Sequence, residues 1–209
     1  RKKKVDFIIS TLDALYGDPE IPLNHYDHYT LLIAVLLSAQ CTDLKVNEVT
    51  PRLFKLANNP RDMMLCDPEE IRSIIRPCGL SSAKSKAIHQ LSMILFKEYD
   101  SMVPSNFEDL EKLPGVGHKT ASVVMAQGFN MPAFAVDTHI HRLSYRWKIS
   151  NGKNVIKTEY DCKKFFPKNI WNKLHLQMIY FGREYCPARK HDPTICPICS
   201  IVGRKSLFK

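Results

Sequence analysis

The stretch Leu113-Pro114-Gly115-Val116-Gly117-His118-Lys119-Thr120-Ala121 constrains this chain more than any other. Val136-Asp137-Thr138-His139 follows it after one further helix. Pro114 ends a helix, and the glycines of the Gly-Val-Gly turn supply the positive φ that a tight reversal into the next helix needs. Two short helices joined by such a hairpin leave the N–H groups of Gly115, Gly117 and the second helix start pointing outward, a natural cradle for phosphate. Lys119 falls in the first turn of that helix, where the positive dipole end favours the neutral, nucleophilic amine. Helix electrostatics would not select a lysine there, and local conflicts of this kind mark functional positions. Asp137 stands just before another helix, where it serves as an N-cap, as a carboxylate facing a bound amine, or as both. The bland alternative is an ordinary αα-corner carrying a solvated lysine.

Helical periodicity runs through the rest of the chain, and no segment alternates with period 2 for more than a few residues. Phe7, Ile8, Leu12 and Leu15 form one apolar stripe closed by Gly17-Asp18-Pro19, and Tyr29 to Ala39 is apolar nearly all round, as a central buried helix would be. Asp43 is placed to cap a helix running to Leu56, and Asp67-Pro68-Glu69-Glu70 is a helix start. Further helices are expected over 82–99, 106–112, 120–128, 138–147, 153–166 and 170–182, with proline and glycine between them rather than inside. The expectation is an all-α fold of two helical lobes with a cleft between them: residues 22–132 as one, and 1–21 with 133–209 as the other.

A formal net charge of +9 favours a polyanionic partner. The run after Arg1-Lys2-Lys3-Lys4 carries Asp6 and Asp13, so it reads as an amphipathic helix and not a signal peptide. The longest apolar run, Leu31 to Ala39, is too short to span a bilayer. With no initiator Met, the chain is expected to be a trimmed form of an intracellular monomer with no membrane partner, cytoplasmic or nucleoid-associated if bacterial. Of the seven cysteines, Cys41, Cys66 and Cys78 read as buried reduced thiols and Cys162 has no partner pattern. Cys186, Cys196 and Cys199 crowd into the tail.

Residues 113–121 with 136–142, Leu37-Ser38-Ala39-Gln40-Cys41-Thr42-Asp43, and Cys78-Gly79-Leu80 closely resemble endonuclease III, of the helix-hairpin-helix DNA glycosylase superfamily. The resemblance runs over nearly the whole chain. It implies a bifunctional DNA glycosylase and abasic-site lyase of base excision repair, acting on duplex DNA with a damaged or abasic nucleotide. By that likeness Lys119 is the nucleophile and Asp137 its catalytic partner. Oxidised pyrimidines are the implied substrates, and β-elimination 3′ to the abasic sugar follows base release. Gln40 and Leu80 then lie on loops that fill the hole left by a flipped base, and His139 lies near the extruded nucleotide. Lys84, with Lys86, is expected to touch phosphates, as are Arg189 and Lys190 of the tail.

The family usually ends in four cysteines spaced C-x6-C-x2-C-x5-C around a 4Fe-4S cluster. Here Cys186, Cys196 and Cys199 give C-x9-C-x2-C, and Lys205 stands about where the fourth cysteine would fall. Three readings stay open: a cluster with a foreign fourth ligand, a Cys3His zinc site completed by His191, or no metal. Two other functions also remain. A related adenine glycosylase would carry a glutamate in the helix that reads Leu32-Ile33-Ala34-Val35, and a bare helix-hairpin-helix module would bind DNA without cutting it.

Overall fold

A computed structural model describes residues 1–208, and every regular element among them is helical. In chain order these are α1 (Lys2–Tyr16), α2 (His28–Leu37), α3 (Asp43–Leu56), α4 (Pro60–Met63), α5 (Pro68–Ile75) and α6 (Ser81–Glu98). Then follow α7 (Phe107–Lys112), α8 (His118–Val123), α9 (Thr138–Arg146), α10 (Val155–Phe165), α11 (Trp171–Glu184) and α12 (Cys199–Val202). The chain divides into two compact units, Pro22–Asn130 on one side and Arg1–Ile21 with everything from Met131 onward on the other. No helix among the described residues is long and apolar enough to cross a membrane.

In the Pro22–Asn130 unit α2 is the axis. Every residue from Tyr29 to Leu37 is buried, and α3, α6 and α8 pack around it. Its start is fixed by a capping box: Asp27 Oδ1 accepts from the Thr30 amide at 2.8 Å, while Thr30 Oγ1 accepts from the Asp27 amide at 2.9 Å. Each fully buried leucine or isoleucine here contributes about 1.5–3 kcal/mol. In the other unit Ile8 and Leu12 of α1 meet Ile140, Leu143, Leu174, Met178 and Phe181 around Trp147. Gln177 ties α11 to α1 by donating to Asp13 at 2.8 Å and to the Gly17 carbonyl at 2.7 Å.

The sequence expectations change at several points. Asp43 is the first residue of α3 and not its cap; Thr42 Oγ1 accepts from the Lys45 amide instead. Pro51 lies inside α3, contrary to the rule that prolines sit between helices. The four-residue helices α4 and α12 escape a periodicity reading because one turn carries no period. After α8 the backbone widens into a π-turn over Val124–Gly128. Glycine also occurs inside α11: a Cβ on Gly182 would come within 3.0 Å of the His139 Cβ, so its bare backbone lets α9 approach.

Between α7 and α8 the amide of Val116 donates to the Leu113 carbonyl at 3.0 Å, closing a four-residue turn. Pro114 at its second position and Gly115 at its third, with φ +78°, follow the type II pattern. Only Gly115 supplies the positive φ; Gly117 is extended at φ −92°. A Cβ on Gly115 would lie 2.9 Å from the Ala87 Cβ and 3.0 Å from the Leu36 Cδ1. Gly115→Ala is therefore expected to cost at least about 2 kcal/mol, measured by urea unfolding, from left-handed strain plus overpacking. A loss below about 0.5 kcal/mol would show that the turn does not require glycine.

Candidate functional site

Lys119 is the second residue of α8 and its side chain is exposed. The N-cap, Gly117, has no side chain to accept from the first-turn amides, and a Cβ there would meet nothing within 4 Å. Gly115 and Gly117 are both exposed, so the hairpin offers bare backbone beside an amine. His118 secures the helix start: its Nδ1 lies 2.6 Å from Glu111 Oε1, and its ring stacks on Phe107 at 5.5 Å.

Gln40 and Leu80 share an unusual backbone. Both are non-glycine residues in the left-handed region, at φ 54° and 49°, and both are exposed. Leu80 turns 56% of its surface to solvent, which an isolated apolar side chain held in a costly conformation does not do for packing. Lys84 ties the two loops together, and here the expectation of a phosphate contact is corrected. Lys84 is 5% exposed, and its Nζ donates to the carbonyls of Leu37 and Ala39 at 2.8 Å and of Cys78 at 3.1 Å. These carbonyls end α2, precede Gln40 and nearly precede Leu80. Burial pushes the Lys84 ammonium below the ordinary lysine range, but three acceptors use all three of its donors. Lys86, two residues on, is the exposed lysine of this turn.

In the other unit Asp137 caps α9, its Oδ1 accepting from the Ile140 amide at 2.8 Å. His139, the second residue of α9, is half-buried. Its Nδ1 lies 3.0 Å from Arg142 Nη2, and that same guanidinium nitrogen donates to the Gly182 carbonyl at 2.8 Å. Burial disfavours the His139 imidazolium; Asp137 opposes this, while Arg142 and Arg183 add to it, and the net shift is below 6.5.

Arg142 and Arg146 lead from α9 to the tail. Arg142 Nε donates to the Cys186 carbonyl at 3.1 Å, and Arg146 Nη1 to the Pro187 carbonyl at 2.8 Å and the Cys186 sulfur at 3.1 Å. There Cys186, His191, Cys196 and Cys199 converge, each offering one donor atom, all within 4.8 Å of one another. The three cysteines are buried in the unit's core and His191 is partly exposed. Hydrogen bonds from the Cys186 and Cys199 thiols hold Cys196 toward thiolate, while Cys199 is pushed up. These four residues have the chemistry to hold a metal ion. Arg189 and Lys190 stand exposed on the loop between Cys186 and His191.

All seven cysteines are free. Cys78 and Cys162 are buried, and burial pushes both thiols up to about 12, so they stay protonated. Cys41 and Cys66 are only partly buried, less than expected. Arg142, Arg146 and Gly182 escape the sequence reading, because arginines on an amphipathic helix read as a solvated face. The i, i+4 spacing of the two arginines, one face of α9, is the signal that was there.

Residues 33–168 match the family model described as HhH-GPD superfamily base excision DNA repair protein. Endonuclease III of Bacillus subtilis (strain 168) is 38% identical over 200 residues, covering 95% of this chain and 91% of that protein. Among solved structures, a non-covalent endonuclease III–DNA complex superposes with TM-score 0.93 at 38% identity, covering 100% of this chain and 99% of that one. A trapped endonuclease III–DNA covalent intermediate gives TM-score 0.92 at 38% identity, covering 98% and 96%.

Two outcomes follow from the geometry. Lys84→Met, which keeps the stem but removes the donors, is expected to raise exchange of the hydrogen-bonded Cys41 and Gly79 amides, which flank Gln40 and Leu80, at least tenfold, equivalent to about 1.4 kcal/mol of lost local stability. Unchanged exchange there would show that Lys84 does not hold the loops. His139 is expected to titrate below 6.5 by NMR, moving upward in Arg142→Gln. Because the unfolded histidine takes up its proton first, the stability His139 confers is complete above about pH 6.5 and fades as pH falls through the lower folded value. A midpoint at or above 6.5 would contradict this environment.

Proposed function

The chain belongs to the endonuclease III family, within the HhH-GPD superfamily of base excision DNA repair proteins, and we propose that it excises oxidised pyrimidines from duplex DNA and then cuts the strand 3′ to the abasic sugar. Its enzyme class is the family's, DNA glycosylase and abasic-site lyase. In this reading the Lys119 amine attacks C1′ of an extruded nucleotide. The N-glycosidic bond breaks, and its electron pair leaves with the base. The resulting amine adduct opens to a protonated imine, which only a primary amine can form. That imine acidifies the C2′ proton; its loss expels the 3′ phosphate and cleaves the chain. Asp137 stabilises positive charge on the sugar and assists proton transfer.

Extruding a base costs a few kcal/mol in stacking and pairing. Gln40 and Leu80 are assigned to fill the vacated stack, since both sit exposed on tied, strained loops. His139 is assigned to the extruded nucleotide. The amides of Gly115 and Gly117 and the side chains of Arg189 and Lys190 are assigned to phosphates.

The observation that carries this reading is the exposed Lys119 amine at the helix start of the hairpin, with a trapped covalent DNA complex known for an endonuclease III 38% identical to this chain. The adenine-glycosylase alternative needs a carboxylate along Leu32–Val35, and those four residues are apolar and buried. A bare binding module would hold DNA through the same hairpin but form no borohydride-trapped adduct at Lys119.

Lys119→Gln is expected to abolish base release, strand cutting and borohydride-trapped adduct while abasic-DNA binding persists. Full lyase activity in a folded Lys119→Gln protein would overturn the assignment. Asp137→Asn separates chemistry from capping, because asparagine caps a helix as well as aspartate does. It is expected to lower kcat by about 10²–10⁴ with melting temperature nearly unchanged. Near-native turnover would leave Asp137 as a cap alone.

A further inference from the structure

The tail does not fit a four-iron cluster. A cubane's own iron–sulfide core holds its four ligand atoms about 6 Å apart. Here no two of the four donor atoms are separated by more than 4.8 Å. The Cys186 sulfur lies 3.7 Å from the Cys199 sulfur and 3.4 Å from His191 Nε2. One tetrahedral ion with zinc-like bond lengths separates its ligands by about 3.8 Å between sulfurs and about 3.5 Å between sulfur and nitrogen. The donor set points the same way, with three thiols and one imidazole spaced C-x4-H-x4-C-x2-C.

We propose that Cys186, His191, Cys196 and Cys199 form a closed, mononuclear Cys3His zinc site in place of an iron–sulfur cluster. The surroundings suit such an ion. Three thiolates and a neutral imidazole leave zinc with one net negative charge, and the Arg146 guanidinium, 3.1 Å from the Cys186 sulfur, offsets it. The Cys199 amide donates to the Cys196 sulfur at 3.4 Å, as the backbone of a short C-x2-C loop does when its first sulfur is a thiolate. Four protein donors leave no open coordination position, so the ion is structural. Binding releases the thiol protons to solvent and fixes the loop that carries Arg189 and Lys190. Phe181 and Ile198 belong to the same buried core as the three cysteines.

The test is the metal content of the full chain, expressed with both iron and zinc supplied and purified without oxygen. The expected result is about one zinc per chain without stoichiometric iron or acid-labile sulfide. About four irons with matching sulfide, or neither metal, would overturn the proposal. A second readout needs no variant. Protein stripped of metal under reducing conditions is titrated with Co2+, and strong visible bands with thiolate charge transfer are expected at one equivalent. Weak bands typical of octahedral cobalt would overturn it. His191→Ala is expected to weaken zinc binding by more than about tenfold, and His191→Cys to restore it. Unchanged affinity in His191→Ala would remove His191 from the site.

Discussion

The packing of α6 against the C-terminal end of α2 is the constraint on which the rest depends. Two successive residues of α2 are used there for different purposes. Leu36 and Ala87 of α6 both close on the place a Cβ of Gly115 would occupy, which leaves no room for one and fixes the hairpin turn. Leu37 gives its carbonyl to the Lys84 ammonium, which also gathers Ala39 and Cys78. The turn that precedes Lys119 and the loops that carry Gln40 and Leu80 are thus registered to one helix pair. Left-handed backbone at two non-glycine positions is affordable only where surrounding contacts over-determine it.

The other unit repeats this logic with arginine. Arg142 and Arg146, one turn apart on α9, reach in sequence from His139 and the Gly182 carbonyl to the Cys186 loop. A planar, permanently charged guanidinium can serve several carbonyls and a sulfur at once, where a lysine would act as a point charge. The environment of His139 and the shape of the tail are coupled through these two side chains. Loss of order in the tail is therefore felt at the start of α9, through Arg142 and its hold on both His139 and the Cys186 carbonyl.

Much of the fold was legible because helices declare themselves by period. The apolar run of α2, the Asp67-Pro68 start of α5 and the Pro-Gly punctuation around α7 and α8 each carry a local cause. What escaped reading was decided by distant contacts. Lys84 looks like any lysine on a helix until α2 ends beside it; nothing local says that its ammonium will face three carbonyls. Gly182 looks like a helix weakness until His139 crosses it. His191 could be named as a fourth ligand from spacing alone. Only the separation of the donor atoms distinguishes one ion from a cluster.

The central claim, that Lys119 is the nucleophile, is tested most directly by locating the covalent bond. Wild-type protein is reacted with duplex DNA holding a single oxidised pyrimidine, reduced with borohydride during turnover, digested, and the cross-linked peptide sequenced by mass spectrometry. The account predicts one adduct, on the Lys119 amine. An adduct on another lysine or on the amino terminus, or strand cleavage with no trappable adduct, would contradict it.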